Sequence, residues 1–405
     1  MNDFLIFDLS GWVIDAGLIG TTENDLLRGF CERAVAGGLP ISRATLVVDT
    51  LHPVHEGRVF RWSLDQSVDR EIVEYGRLAD DVEANESWRR SPFYHLLETG
   101  GSMLRRSQPR GHAADFPILA TLREQGQTDY VALIQRFTKA GAVGEMDCIY
   151  SSWTTEAPSG FTDLQAEALT RLVPSLALAI KCASLQRIAG TLVETYLGRD
   201  AGRRVLEGSI ERGVADRVSA VLWWSDLRGF THISDTVAPE QIVPLLNDYA
   251  EAVISAIHET GGDVLKLIGD GTLAVFDATD PVNACQCALD AEAIARTRVA
   301  AVNSRRASEG LPTTEIYLAL HVGDVFYGNI GSHERLDFTV IGPAVNMASR
   351  IASMCRSAER DVLLSPEFVA AAPEAVRSDI VSVGRYALRG FADPQELFTI
   401  IRPGR

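Results

Sequence analysis

Two aspartates in the second half of the chain stand where short apolar runs end. Asp226 follows the run 218–224, and Asp270 lies in the glycine turn within residues 264–276. Apolar runs rich in β-branched and aromatic residues, bounded by glycine, predict strands, so Asp270 is expected at a hairpin tip. If these strands belong to one sheet, the two carboxylates converge, and hard cations such as Mg²⁺ prefer such oxygen ligands. A lone carboxylate on a turn is usually a solvated turn-former, so the hypothesis depends on the pair.

The residues that follow Asp226 suit a phosphate group. Gly229 allows backbone N–H groups to point at phosphate oxygens, and the helix expected after it would direct its positive end to the same place. Phe230 and Thr231 begin that helix, and we expect them to contact the substrate. Carboxylates that hold metal ions beside a phosphate-binding turn predict a polyphosphate site.

Three ordered segments resemble the signature motifs of the class III nucleotide cyclases. Residues 224–231 (WSDLRGFT) and 266–271 (KLIGDG) are similar to that family's two metal-binding segments. Residues 335–350 (RLDFTVIGPAVNMASR) are similar to the segment that runs from its base-recognition strand into its transition-state helix. The resemblance covers about residues 214–400 and implies an α+β fold, with a ferredoxin-like βαββαβ core in which helices pack on an antiparallel sheet.

The resemblance implies that the chain converts ATP to 3′,5′-cyclic AMP and pyrophosphate. Two Mg²⁺ or Mn²⁺ ions per active site would be held by Asp226, Asp270 and the Leu227 carbonyl. One ion would lower the pKa of the ribose 3′-hydroxyl, and the other would bind the β and γ phosphates. Loss of either carboxylate is expected to remove nearly all activity.

Hydrogen-bond polarity at two positions favours adenine over guanine. Adenine presents an acceptor at N1 and a donor amine at N6, whereas guanine presents the reverse polarity at N1 and O6. Lys266 can donate to adenine N1, and the Thr339 hydroxyl can accept from N6. Guanylate cyclases of this family typically carry an acidic residue where Lys266 stands, so guanylate cyclase is the alternative. Thr339 replaces the family's frequent aspartate, and the same Lys/Thr pairing occurs in bicarbonate-responsive members.

Residues of the third segment and of a C-terminal stretch complete the expected site. Asn346 and Arg350 are four residues apart on a helix, which without the resemblance is explained equally well by an exposed polar face. By resemblance, Asn346 positions the ribose and Arg350 stabilises charge on the transferring phosphoryl group. Arg389 is expected at the terminal phosphates. In this family the site lies between two catalytic domains, so the chain is expected to act as a homodimer.

Composition and charge argue against a nucleic-acid-binding, membrane-spanning or secreted protein. The 405 residues allow two or three domains, and 46% of them are hydrophobic. A formal net charge of -16 argues against a nucleic-acid partner, which needs clustered Lys and Arg. The longest apolar run, near 172–185, is too short to span a bilayer, and the N-terminus does not resemble a signal peptide. Six scattered cysteines are expected to be reduced, so we expect a cytoplasmic protein with no membrane partner.

Residues 1–160 mix short helices and strands and are expected to form a GAF-like sensory domain. The pattern predicts a helix over 24–35 and strands over 43–49, 57–62, 130–137 and 146–153. The order of elements resembles the GAF family and implies a small-molecule regulator. His52 and His55 could hold a metal, although a loop between two strands explains them more simply. Trp62 and Trp88 could line a pocket, but such residues more often form core.

Residues 161–213 are predicted to form a helical linker that transmits a signal to the catalytic domain, residues 214–405. A leucine recurs every seven residues, at Leu178, Leu185 and Leu192. Lys181 and Thr195 interrupt this seam, which is shorter than a coiled coil needs. The helix could pair two chains, or it could pack on its own domain.

The catalytic region is expected to run as strand, helix, hairpin, helix, strands, helix. The pattern predicts helices over 239–260 and from Pro281, strands over 316–321 and 324–330, and a last helix from near Pro343. The two later strands are expected to be separate, because Val322-Gly323 lies between them.

Two further alternatives are open. Residues 261–264 (GGDV) superficially resemble the diguanylate cyclase signature, but a glycine pair that ends a helix explains them better. The chain could also be a catalytically inactive module that kept the cyclase fold for regulation or binding.

Overall fold

The chain is described by a computed structural model over residues 3–65, 72–76, 81–107, 115–137, 144 and 146–401. It divides into two compact units, Met1–Leu192 and Val193–Arg405. Both units combine helices with mainly antiparallel strands, so each is α+β, in agreement with the expected fold class.

The first unit is built on a six-stranded antiparallel sheet in the order β3-β2-β1-β6-β5-β4. The strands are β1 (Arg43–Asp49), β2 (Gly57–Ser63), β3 (Val73–Tyr75), β4 (Met103–Ser107), β5 (Asp129–Arg136) and β6 (Cys148–Thr155). The helices are α1 (Asp3–Leu18), α2 (Glu23–Ala36), α3 (Val82–Arg89), α4 (Pro92–Thr99), α5 (Pro117–Glu124) and α6 (Asp163–Leu197). Because strand side chains alternate, Leu46 and Val131 join a core with α1, α2 and α6, whereas Val47 and Ala132 join a core with α4 and α5.

Two histidines and two tryptophans singled out in the sequence, His52, His55, Trp62 and Trp88, contact residues of their own unit. His52 Nδ1 accepts hydrogen bonds from two backbone N–H groups of its loop, and His55 Nε2 lies 3.2 Å from a Glu74 carboxylate oxygen. This arrangement favours the loop interpretation of the histidine pair. Trp62 is buried, and Trp88 packs against the second core, so these two aromatic side chains form core.

Helix α6 is longer than the apolar run that predicts it. The Thr162 hydroxyl accepts a hydrogen bond from the Gln165 N–H at 3.3 Å, as expected of a residue that caps the start of the helix. Among the residues that the structure describes, α6 is the helix that is long and apolar enough to cross a membrane, by length and composition alone. Half of its most apolar window is already buried within the fold.

The second unit is built on an eight-stranded sheet in the order β13-β14-β12-β10-β7-β9-β8, with β11 paired to β10. The strands are β7 (Ala215–Leu227), β8 (Asp263–Ile268), β9 (Gly271–Asp277), β10 (Ile316–Gly331), β11 (Leu336–Ile341), β12 (Val362–Leu364), β13 (Ile380–Tyr386) and β14 (Gln395–Ile400). The helices are α7 (Arg199–Leu206), α8 (Phe230–Thr236), α9 (Pro239–Glu259), α10 (Pro281–Ser308), α11 (Pro343–Met354), α12 (Pro366–Ala371) and α13 (Glu374–Arg377). Helices α9 and α10 share a core with Val221 and Trp223, and α11 packs with Ala220 and Leu222 on the opposite face of β7.

Two expectations for this unit are wrong. Residues 316–331 form one continuous strand, β10, where two strands separated at Gly323 were expected. A Cβ atom on Gly323 would lie 2.7 Å from the Cβ of Ala344, so this glycine makes room for helix α11 and does not mark a turn. Helix α11 is also not the last helix, since α12 and α13 follow it.

The start of the short helix α7 is hydrogen-bonded to strand β8. Asp263 Oδ1 accepts hydrogen bonds from the backbone N–H groups of Arg199 and Asp200, at 3.2 and 3.4 Å, and so caps the start of α7. Gly198 precedes the helix with a φ of 91°, and a Cβ atom there would lie 2.5 Å from the Val264 carbonyl oxygen. Helix α7 is therefore in direct contact with the strand that carries Lys266 and ends at the Asp270 turn.

Candidate active site

The sheet brings Asp226 and Asp270 together. Strand β9 pairs with β7 on one side and with β8 on the other, so the β8–β9 turn that carries Asp270 lies beside the end of β7. The Leu227 N–H donates to Asp226 Oδ1 at 3.1 Å and to Asp270 Oδ2 at 3.2 Å. One backbone group thus touches both carboxylates, and the two strands lie in one sheet as the hypothesis requires.

The carboxylate pair is electrostatically unfavourable without a cation. Partial burial, a hydrogen bond with the Asp270 carboxyl and the negative charge of Asp270 together raise the pKa of Asp226 well above its usual range. Two adjacent carboxylates with such a shift form a donor set that suits a divalent metal ion. Among the described residues, no group of three or more His, Cys, Asp and Glu side chains is arranged to hold a metal ion.

A cavity of about 180 Å³ opens beside the two carboxylates. Its walls come from both aspartates, from Leu227 and Thr272 of the sheet, and from one side of helix α9 that includes Asn247. The cavity is therefore formed where the carboxylate-bearing strand ends meet α9.

The turn that is predicted to bind phosphate leads directly into helix α8. Gly229 has a φ of 71°, in the left-handed region that favours glycine, and helix α8 begins at the next residue. The Phe230 side chain packs against the core of the unit, whereas Thr231 is exposed. Substrate contact by Phe230 and Thr231 stays a prediction.

Lys266 is held by a partner that the sequence analysis did not single out. Its ammonium forms an ion pair with the Asp337 carboxylate of strand β11. Thr339 lies two residues further along β11 and is buried. Because side chains alternate along a strand, Asp337 and Thr339 project from the same side of β11. The alternation of side chains along the third motif was the signal that could have identified Asp337.

The remaining predicted residues lie elsewhere on the unit. Asn346 is exposed and Arg350 is half-buried, both on helix α11. Arg389 is exposed between strands β13 and β14. Within the described part of the chain, the cavity at the two aspartates is lined by none of the five side chains expected to bind the base, ribose or phosphates, namely Lys266, Thr339, Asn346, Arg350 and Arg389. In one chain, the cavity at the carboxylate pair is therefore formed without these five side chains.

Comparison with known proteins adds an independent observation. Residues 214–402 match the family model described as the adenylate and guanylate cyclase catalytic domain. The adenylate cyclase of Anabaena cylindrica is 34% identical over 165 residues, which cover 40% of this chain and 32% of that protein. Adenylate cyclase 1 of Rhizobium meliloti is 30% identical over 190 residues, which cover 45% of this chain and 28% of that protein. The chain thus spans about a third of the length of these curated relatives.

Two solved structures are also similar. The adenylyl cyclase CyaB from P. aeruginosa matches 47% of this chain and 98% of its own, with 25% sequence identity and a TM-score of 0.43. A bacterial light-regulated adenylyl cyclase matches 64% of this chain and 83% of its own, with 17% identity and a TM-score of 0.47.

Proposed function

Because residues 214–402 match the model of the adenylate and guanylate cyclase catalytic domain, we propose that the chain is an adenylate cyclase, which converts ATP to 3′,5′-cyclic AMP and pyrophosphate. The observation that carries the proposal is the contact of Asp226 and Asp270 through one backbone N–H group. Two carboxylates in this position form a site for the cations that accompany a nucleoside triphosphate. The two named relatives are adenylate cyclases, which supports the same activity.

In the proposed reaction the ribose 3′-oxygen forms a bond to the α-phosphorus, and the bond from that phosphorus to the bridging oxygen breaks. The 3′-hydroxyl loses its proton, and the leaving pyrophosphate takes the electron pair. Asp226, Asp270 and the Leu227 carbonyl would hold two Mg²⁺ or Mn²⁺ ions, which acidify the hydroxyl and neutralise phosphate charge when bound. The protein itself contributes by holding the triphosphate and the ribose in line.

Lys266 and Thr339 would select adenine. The Lys266 ammonium, which pairs with Asp337, is a pure donor, so it can donate to adenine N1 but has no acceptor for the guanine N1–H. The Thr339 hydroxyl can accept from the N6 amine. A guanine base would leave buried polar groups unpaired, which costs several kcal/mol in sites of this kind. Guanylate cyclase is the second candidate, and it requires that Lys266 tolerate this mismatch.

The complete site would form between two copies of the chain. In one chain, the carboxylate pair lies beside α9, whereas Asn346 and Arg350 lie on α11, which packs on the opposite face of β7. A partner copy would bring its Lys266, Thr339, Asn346, Arg350 and Arg389 to this chain's carboxylates. Asn346 would then orient the ribose, and Arg350 would stabilise the charge that develops on the α-phosphoryl group. A homodimer with two equivalent sites follows, and a monomer should be inactive.

The first test is product formation by the full-length chain with Mn²⁺, with ATP and GTP in separate reactions. We expect cyclic AMP from ATP and no cyclic GMP. Asp270→Asn should be inactive, while Asp235→Asn, which removes an exposed carboxylate from helix α8, should retain activity. Cyclic GMP as the main product would support the guanylate cyclase alternative. The absence of both products would support an inactive cyclase-fold module.

A second test addresses the shared site. Chains with Asp270→Asn are mixed with chains with Arg350→Ala, each inactive alone. Random exchange of subunits leaves one intact site in each mixed dimer, so an equal mixture should regain about a quarter of the wild-type activity. No recovery, despite mixed dimers that are demonstrated by differential tagging, would argue that each site is built within one chain.

The first unit is proposed to regulate this activity in response to a small molecule, in a cytoplasmic protein without nucleic-acid or membrane partners. Helix α6 supports the connection, because it begins in the first unit and ends at Leu197, and helix α7 begins at Arg199 after the single residue Gly198. Helix α7 is in turn capped by Asp263 of strand β8. A library screen for ligands that shift the melting temperature of the chain and its cyclase rate together would test this role.

A further inference from the structure

A groove in the first unit lies where helices α3, α4 and α5 meet. It has a volume of about 560 Å³, and its described lining residues all fall between Arg89 and Ala120. Sites for small molecules in proteins usually have volumes of about 300–1,000 Å³. The groove is therefore large enough to hold a small molecule.

Helix α4 has one side in the core and one side in the groove. Phe93 and Leu96 are buried in the core that α4 shares with α5. Tyr94, His95 and Glu98 stand at positions i, i+1 and i+4 of the same helix, and all three line the groove. The amphipathic pattern of α4 thus directs an aromatic ring, an imidazole and a carboxylate into one surface.

Two guanidinium groups in this groove are free to bind an anion. Arg89 and Arg90 are exposed at the end of α3, and neither guanidinium has an ion-pair or hydrogen-bond partner among the residues that the structure describes. The Asp115 carboxylate, which also lines the groove, is already paired with Arg106 at 2.7 Å. Two unpaired positive groups therefore share the groove with the Glu98 carboxylate, in a chain whose net charge is -16.

Aromatic rings form another part of the groove. The rings of His95 and Phe116 meet edge to face, with their centres 5.6 Å apart. The ring of Tyr94 meets that of Trp88 in the same way at 6.4 Å. Trp88 and Phe116 pack against the core below α4 and α5. The exposed rings of the groove are thus held in place by neighbours that are anchored in the fold.

We propose that this groove, here called the α4–α5 groove, binds a small aromatic carboxylate. Arg89 and Arg90 would hold the carboxylate, because a guanidinium group matches its two oxygens with parallel hydrogen bonds. The ring of the ligand would stack against Tyr94 and Phe116. The inference deepens the small-molecule role proposed for the first unit, on which it rests, and adds the site and the class of ligand.

A purely structural role accounts for only part of this arrangement. Positive charges near the C-terminal end of a helix stabilise that helix, and Arg89 and Arg90 stand at the end of α3. This role does not call for aromatic rings in the adjacent groove. A bare anion such as phosphate also fits less well, because it would leave the rings of Tyr94 and Phe116 without a partner.

The test measures the binding of 2-naphthoate to the full-length chain by ligand-observed NMR titration. A ligand of this size is expected to bind with a Kd of about 1 mM or lower. Two analogues separate the contributions of charge and ring. Loss of the charge in 2-naphthamide should weaken binding about tenfold or more, and loss of the aromatic ring in cyclohexanecarboxylate should weaken it about 2- to 12-fold.

Variants then assign the binding to the groove. The double variant Arg89→Gln/Arg90→Gln should bind 2-naphthoate about tenfold or more weakly and should not change the binding of 2-naphthamide. Tyr94→Leu should weaken 2-naphthoate more than cyclohexanecarboxylate. Arg28→Gln is the matched control, since it removes an exposed arginine of α2, which packs on the other face of the sheet, and it should bind like the wild type. Circular dichroism and thermal melts check that each variant is folded.

Three results would overturn the proposal. The first is a wild-type chain that shows no measurable binding of 2-naphthoate. The second is an equal loss of affinity in the double variant and in Arg28→Gln. The third is inorganic phosphate that binds as tightly as 2-naphthoate, which would make the groove a site for anions without an aromatic part.

The outcome is separable from the proposed cyclase activity. Binding is measured without turnover, and the inactive Asp270→Asn chain should bind 2-naphthoate as tightly as the wild type. A chain that makes no cyclic nucleotide but binds 2-naphthoate through Arg89 and Arg90 would support the α4–α5 groove. An active cyclase that does not bind 2-naphthoate would overturn the inference about the groove alone.

Discussion

Replacement of Asp337 by Asn tests whether Asp337 positions Lys266 for the substrate or only stabilises the fold. Asp337 forms an ion pair with Lys266, whose ammonium is proposed to donate to adenine N1. The Asn side chain keeps the size of the carboxylate and removes its charge. The lysine remains in place as a donor, but its long side chain is no longer held toward the base.

The expected size of the effect follows from exposure and from side-chain entropy. The Lys266 and Asp337 side chains are 30% and 53% exposed, so the pair should contribute at most about 1 kcal/mol to folding. Ordering a long side chain on binding costs about 0.5–1.5 kcal/mol, so Asp337→Asn should lower kcat/KM for ATP by about 2- to 12-fold. Lys266→Met removes the charged donor itself, worth about 1.5–3 kcal/mol, and should lower it about 10- to 150-fold.

The assay is a double-mutant cycle on kcat/KM for ATP. If Asp337 acts through Lys266, then Asp337→Asn should have no further effect in the Lys266→Met background. Asp337→Glu should restore part of the loss, because a carboxylate is again present. Equal losses of kcat/KM from Asp337→Asn in the wild-type and Lys266→Met backgrounds would refute the reasoning. A loss of kcat/KM that is accounted for by a lowered melting temperature would refute it as well.

Three further predictions concern the fold of the second unit. Asp248→Asn leaves the Arg306 guanidinium, which is 1% exposed, without its carboxylate, and should lower the free energy of unfolding by about 3 kcal/mol in urea melts. A hydrogen bond from His321 holds the pKa of Glu367 at about 2, below its ordinary 4.5. The stability from this contact should therefore be complete above pH 4.5 and disappear as the pH falls toward 2. Glu367→Gln should remove that part of the pH dependence of the unfolding free energy. Gly198→Ala should cost about 2 kcal/mol or more, because its φ is 91° and its Cβ would clash with a carbonyl of β8, and a normal melting temperature would contradict this.

The carboxylate site was accessible to sequence reasoning because it depends on local patterns. Strands rich in Val, Leu and Trp that end at Asp226, and a glycine turn at Asp270, specify where each carboxylate emerges. Only the pairing of β9 with both β7 and β8 was needed to bring them together. The alternation along β11 places Asp337 on the same side as Thr339, but the ion pair with Lys266 was missed because it joins β8 to β11 and so depends on tertiary packing.

The main error in the predicted fold is the strand break that was expected at Gly323. In the sequence, Val322-Gly323 between two apolar runs has the composition of a turn. In the structure, Gly323 lies inside β10, where the absence of a side chain lets Ala344 of α11 approach the sheet. A glycine that relieves a contact with a distant element and one that turns the chain have the same local pattern. The Gly269 turn could be identified because a strand pattern and a second glycine followed at once.

The Asp226–Asp270 contact is an example of a candidate metal site that lowers the stability of the metal-free fold. The neighbouring carboxylate and partial burial disfavour the charged form of Asp226, so the metal-free pair opposes folding at neutral pH, where both groups would otherwise be ionised. An oppositely charged residue at one of the two positions would remove this repulsion. A divalent cation reverses the sign of this interaction, since each carboxylate then faces a positive charge. The metal should therefore raise the melting temperature of the wild-type chain more than that of Asp270→Asn, in which the repulsion is already absent and one ligand is lost.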